Sequence, residues 1–247
     1  MVPPYRIEKD LRKHSCKEGL RTIFLLYEGL NTEKYLINPL LSSNSIVKKG
    51  KIRFRPIIKE ENDAGITNPF SLVKYAKRFI KNETAKDNFL SGRDRVMIVF
   101  DLDVLNNNQE EMNRLLRLKT SDMILCYTNP AIELFLLLTL NQGYEQIVEP
   151  NKNKILANEK NEHGERFVYN LALESVPGYS KSADADFRFI LDNIDNALMQ
   201  EKRINNKISK AANKLTSNIA YLLKKFDNND FNIEYWLFDS INLKLLR

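Results

Sequence analysis

The sequence predicts an α/β fold, a mostly parallel sheet flanked by helices in the doubly wound class, with a mainly helical C-terminal part. Three observations predict it. Short β-branched runs alternate with segments of helical spacing, three of the four runs are apolar throughout, and three of the four stop at acids or at a Thr-Asn-Pro turn. Strands buried on both faces read as continuous apolar runs, and alternation with helices implies parallel neighbours joined by right-handed crossovers. In such sheets ligands bind beyond the carboxyl ends of the strands, so the residues that stop each strand carry the functional information.

The first strand is predicted over residues 22–27 and stops at Glu28-Gly29. Thr32 then serves as the N-cap of a helix whose apolar residues Tyr35, Leu36, Leu40 and Leu41 recur at helical spacing. Residues 51–59 alternate Ile52, Phe54 and Ile57-Ile58 with basic side chains, as a second strand should. A helix is expected over about 69–80, a third strand over 96–100 ending at Asp101-Leu102-Asp103, and a helix carrying Met112, Leu115, Leu116 and Leu118. The fourth strand, 123–127, stops at Thr128-Asn129-Pro130, and 131–140 reads as an almost wholly apolar helix. Past Gly143 the pattern turns polar, with helices near 165–174, 183–199 and 205–226. A boundary near residue 145 therefore divides a sheet-bearing domain, 1–145, from a mainly helical region, 146–247, packed on it.

At 43% hydrophobic and 28% charged, 247 residues are ordinary globular material. Cys16 and Cys126 form no metal or disulfide framework, which suits a reducing cytoplasm. Residues 1–21 are too charged for a signal peptide, and the most apolar run, 134–140, is too short for a bilayer. A soluble cytoplasmic protein with no membrane partner is expected. The net charge of +6 is unevenly spread: Lys202, Arg203, Lys207, Lys210, Lys214, Lys224 and Lys225 occur in one stretch without an acid. Such a run is either a solvated helix face or a phosphate-binding surface gaining affinity from counterion release. On the second reading Lys202, Arg203, Lys207, Lys210 and Lys214 are the nucleic-acid-binding candidates.

Glu28, Asp101 and Asp103 are the candidate metal ligands. Carboxylates at the ends of buried strands are costly unless paired, hydrogen-bonded or bound to a cation. If the two strands are neighbours, the three converge, because residues two apart in an extended segment project to the same side while Leu102 turns inward. Oxygen ligands without His or Cys suit Mg²⁺ or Mn²⁺ rather than Zn²⁺. Glu133 is either a carboxylate at a helix start beside the dipole or a catalytic group, and Lys181 is either a transition-state cation or solvated. His14 and His163 read as surface residues, and Tyr235, Trp236 and Phe238 as core. No P-loop or GxGxxG pattern is present.

The segments Leu26-Tyr27-Glu28-Gly29-Leu30-Asn31-Thr32-Glu33, Val99-Phe100-Asp101-Leu102-Asp103 and Thr128-Asn129-Pro130-Ala131-Ile132-Glu133-Leu134-Phe135, in that order, resemble the RloB-like family of Toprim proteins. A fainter likeness continues through Gly178-Tyr179-Ser180-Lys181 and Ser217-Asn218-Ile219-Ala220-Tyr221. These are bacterial defence proteins related to AbiL-type abortive-infection components and often encoded beside an ATPase. The resemblance implies a Toprim-like, Rossmann-like sheet, Glu28 as the first-motif glutamate and Asp101 and Asp103 as the metal-binding aspartates. Glu33 or Glu133 would join them should a second ion bind. Ala131, Phe135 and Thr139 depart from the family's aromatic, Trp and His, which leaves the acids in place and puts any His-dependent step in doubt. The function implied is a Mg²⁺- or Mn²⁺-dependent endonuclease acting on DNA or RNA, tRNA included, in anti-phage defence under control of a partner ATPase. The alternative is a metal-binding sensor or adaptor of an ATPase complex that cuts nothing. A homodimer is compatible with either.

Overall fold

The computed structural model describes residues 20–29, 37, 41, 52–59, 63, 65–105, 107–180 and 188–228, together with the two-residue strand β1 (Tyr5–Arg6). β1 pairs antiparallel with β4 (Ile58–Lys59). The main sheet has five strands: β2 (Arg21–Tyr27), β3 (Ile52–Pro56), β5 (Arg95–Asp101), β6 (Met123–Asn129) and β7 (Thr216–Ser217). Their spatial order is β3-β2-β5-β6-β7. The first four are parallel and β7 joins β6 antiparallel, so the sheet is mixed but mostly parallel, an α/β Rossmann-like arrangement.

Side chains alternate across the sheet because the strand period is two. Phe24, Leu26, Val96, Ile98 and Phe100 face one way, against α1 (Pro69–Thr84) and α2 (Gln109–Leu118). Ile23, Leu25, Tyr27, Met97, Val99, Ile124 and Cys126 face the other, against α3 (Glu133–Leu137), α4 (Lys152–Ala157), α5 (Phe167–Ser175), α6 (Arg188–Asp192), α7 (Ile194–Gln200) and α8 (Ile219–Asp227). Both faces are therefore covered, which is why β2, β5 and β6 carry continuous apolar runs. The two helices of the first face begin at asparagine caps. Asn68 Oδ1 accepts from the Phe70 amide at 2.9 Å with Pro69 next to it, and Asn108 Oδ1 accepts from Glu110 and Glu111.

Acids at the N-terminal edge of the sheet are consumed by its own loops. Asp94 accepts from the Thr22 and Leu90 amides, and Asp122 accepts from Ser91 Oγ, the Gly92 amide and Arg95. The opposite edge carries the carboxylates described below.

The helix expected over 205–226 does not form as one element. Its first half is a 3₁₀ turn (Ile208–Lys210) and the strand β7, and α8 begins only at Ile219. Asparagines divert it: Asn205 Nδ2 donates to the Lys207 carbonyl and to Thr216 Oγ1, Asn213 takes φ +56°, and Asn218 pairs with β6. These side chains compete with helical backbone bonds. Likewise 131–140 yields only the five-residue α3, and the described part of 183–199, from residue 188 on, carries the short α6 and α7. Among the described residues no helix is long and apolar enough to cross a membrane. Thr32, Glu33, Lys181 and the aromatics 235–238 lie outside the described residues.

Candidate active site

Parallel pairing carries the ends of β2, β5 and β6 to one edge, in the register Tyr27↔Val99 and Asp101↔Thr128. The Glu28 amide continues the ladder by donating to the Val99 carbonyl at 2.9 Å, which turns its side chain toward the end of β5. There Glu28 Oε2 accepts from the Asp101 amide at 2.8 Å. Asp101 Oδ1 in turn accepts from Thr128 Oγ1 at 2.5 Å. Two hydrogen bonds, one from the Asp101 backbone and one from the Thr128 side chain, thus fix two carboxylates at the ends of neighbouring strands. Lys59 braces the turn that carries Glu28, its Nζ donating to the Glu28 carbonyl at 3.0 Å and the Ile66 carbonyl at 2.8 Å.

Leu102 is fully buried, and its amide donates to the Thr128 carbonyl at 2.8 Å. Asp103 opens the 3₁₀ turn Asp103–Leu105, where Oδ2 lies 3.8 Å from Nη2 of Arg166. Arg166 precedes α5 and donates through Nη1 to the Asn158 carbonyl at 3.1 Å, so the C-terminal region reaches the carboxylate edge through this guanidinium. Glu133 is buried at the start of α3, and Oε1 accepts from the Tyr179 hydroxyl at 2.9 Å. Tyr179 packs edge-on against Tyr169.

Among the described residues no three His, Cys, Asp or Glu side chains lie together as a metal-binding group. The structure brings Glu28 and Asp101 together, whereas Asp103 engages Arg166 and Glu133 engages Tyr179. Two all-oxygen carboxylates still suit a hard divalent cation, because Mg²⁺ keeps several waters and takes one or two carboxylates plus substrate phosphate.

The basic stretch borders this edge over part of its length. Asn129, beside Thr128, donates through Nδ2 to the carbonyls of Ala211 at 3.1 Å and Lys214 at 2.9 Å. Gln109 clasps the same loop at Ile208 and Ala212, and the Tyr127 hydroxyl donates to the Asn206 carbonyl while accepting from the Ile208 amide. Lys207, Lys210 and Lys214 therefore stand next to the end of β6. Arg203 is committed elsewhere, bonded to Glu145 and lying 4.7 Å over the Tyr144 ring. Lys202 is exposed on the 3₁₀ turn Glu201–Arg203. Burial raises the pKa of both Tyr127 and Cys126, so Tyr127 stays a neutral hydroxyl and Cys126 a thiol.

The model of the RloB-like protein family matches residues 23–226. The chain belongs to the RloB-like family. No curated protein matches the chain. The RloB-like match takes in the Glu28 turn, the Asp101-Leu102-Asp103 end of β5, the Thr128-Asn129-Pro130 end of β6 and the start of α8. Two residues of this edge escaped sequence reasoning, Lys59 and Arg166. Each acts through a single long side chain reaching from another element, and nothing in its local sequence marks it. Thr128 was visible only as part of a strand stop.

Proposed function

We propose that this RloB-like protein is a Toprim-type nuclease that uses Mg²⁺ or Mn²⁺ to hydrolyse phosphodiester bonds of DNA or RNA, including tRNA. It would act in the cytoplasm in anti-phage defence, under control of a partner ATPase. The observation that carries this reading is the Glu28–Asp101–Thr128 chain at the end of three parallel strands, beside the loop bearing Lys207, Lys210 and Lys214. Glu28 and Asp101 would hold the ion, with Asp103 joining them if it leaves Arg166. When bound, the ion polarises a phosphate oxygen and lowers the pKa of a water.

The protein's own residues do the rest. Thr128 fixes the rotamer of Asp101 by donating to Oδ1, and Lys59 fixes the Glu28 turn from behind. Lys207, Lys210 and Lys214 draw in the substrate backbone and set its register without reading bases. Arg166 offers a planar guanidinium, the group best matched to a phosphate's paired oxygens. The second reading, a metal-binding sensor that docks on an ATPase without cutting, is favoured by the Asp103–Arg166 contact, which gives the third acid a cationic partner within the protein.

The test is incubation of labelled DNA and tRNA with the purified protein and Mg²⁺ or Mn²⁺, with and without the ATPase encoded beside it. Asp101→Asn keeps the shape and removes the ligand charge. Cleavage should fall by more than about a hundredfold, since losing a ligand costs a metal site more than losing one of the ligand's outer partners, with the fold retained. An Asp101→Asn protein cutting at the wild-type rate overturns the nuclease reading. Metal binding without cleavage in any combination favours the sensor.

A further inference from the structure

Away from the carboxylate edge, a cavity of about 300 Å³ opens between α7, the Glu201–Arg203 turn and α8. Its size sits at the lower end for small-molecule sites, which are typically roughly 300–1,000 Å³. Leu198, Ala220 and the Tyr221 ring give it an apolar wall, and Lys202, Lys224 and Lys225 stand around it. Lys225 Nζ lies 5.7 Å from the centre of the Tyr221 ring.

The acid of this cavity is already committed. Glu201 is buried, accepting from Ser217 Oγ, from the Ala220 amide at 3.1 Å and from the Tyr221 amide at 2.8 Å. Its negative charge is spent on the first turn of α8, where the dipole and free amides favour it. Among the described lining residues three lysines stand against this one carboxylate. Among the described residues neither Lys202 nor Lys224 forms a salt bridge, and both are exposed. Asn206 and Asn228 add side-chain amides to the lining, each able to donate and accept.

We propose that this cavity binds a nucleoside phosphate, either a free mononucleotide or the 5′-phosphorylated end of a strand. The lysines take the phosphate as point charges, the apolar wall covers one face of the base or sugar, and an asparagine amide pairs with the base edge. A bare inorganic anion would leave the apolar wall and the amides unused, and an acidic protein surface could not enter a cavity of this size. The assignment stands apart from the nuclease reading, since no residue of the carboxylate edge lines the cavity.

The experiment is calorimetric titration of the full-length protein with AMP, inorganic phosphate, and a short oligonucleotide with or without a 5′-phosphate. Working in EDTA removes any metal-dependent binding at the carboxylate edge. AMP should bind at least tenfold more tightly than inorganic phosphate, and a further tenfold gain of the oligonucleotide from its 5′-phosphate over the unphosphorylated strand identifies a strand end as the source, equal affinity of the two strands a free mononucleotide. The exposed pair Lys202→Ala/Lys224→Ala should weaken that binding roughly tenfold or more, as removal of two charge-assisted hydrogen bonds requires, with the melting temperature unchanged. Equal affinity for AMP and phosphate, an unaffected double variant, or no saturable binding of either nucleotide probe overturns the proposal.

Discussion

Glu201 shows how one carboxylate can hold a junction together. It ties the Glu201–Arg203 turn to β7 through Ser217 and to α8 through two amides. Glu201→Ala leaves those donors buried without an acceptor, and should destabilise the protein by about 2–4 kcal/mol in denaturant unfolding; a change within error would show that water replaces the carboxylate. Burial raises the Glu201 pKa above the ordinary carboxylate value, against the pull of its hydrogen bonds. A raised folded-state pKa contributes stability that is present below the unfolded value and fades as pH climbs through the folded one. The Glu201→Ala penalty should therefore be larger near the ordinary carboxylate value than well above it, measured as the difference between two pH-stability curves. Cys126 makes a second test. It is wholly buried on β6 with its thiol pKa pushed up by burial, so in a Cys16→Ser background the folded protein should show no thiol reactive toward an aromatic disulfide at mildly alkaline pH, and one thiol after unfolding. Rapid reaction in the folded state would contradict the burial.

At the scale of elements, the C-terminal region is joined to the sheet by asparagine amides standing in for backbone. Asn218 accepts from the Tyr127 amide at 2.9 Å and donates to the Leu125 carbonyl at 2.8 Å, completing the pairing of β6 beyond the two residues of β7. Asn129 ties down the loop by donating through Nδ2 to the Ala211 and Lys214 carbonyls. Asn218→Ala orphans a buried donor and a buried acceptor, and should cost about 2–4 kcal/mol. Amide exchange at Tyr127 should accelerate more than at Met97, in the middle of the sheet; uniform change across both strands would mean the amide is not the tether. This is also where sequence periodicity misled. Residues 205–226 carry apolar side chains at helical intervals, yet what ends a helix here is a partner strand edge that only the fold supplies.

For the whole molecule, folding divides one basic stretch between two places. Lys207, Lys210 and Lys214 border the end of β6, Lys202, Lys224 and Lys225 surround the cavity, and Arg203 is bonded to Glu145. If the first group lies on the nucleic-acid path, the triple variant Lys207→Ala/Lys210→Ala/Lys214→Ala should flatten the log-log salt dependence of binding by about 0.9 for each phosphate no longer neutralised, alike for unrelated sequences. An unchanged slope, together with loss of co-purification with the proposed ATPase partner, would assign the group to a protein interface instead. The sequence by itself determined the four parallel strands of the sheet, as apolar or alternating runs, and the acids that stop two of them, because burial on both faces imposes a composition that local reading detects; the antiparallel β7 it did not. It also singled out Glu28, Asp101 and Asp103, since carboxylates closing a buried strand demand a partner. Only the tertiary structure decided that Glu28 meets the Asp101 amide while Asp103 turns to Arg166, that Lys59 braces the turn, and that Glu201 is a structural anchor. Each of those contacts joins residues that the sheet order and crossovers bring together, at distances along the chain where no periodicity reaches.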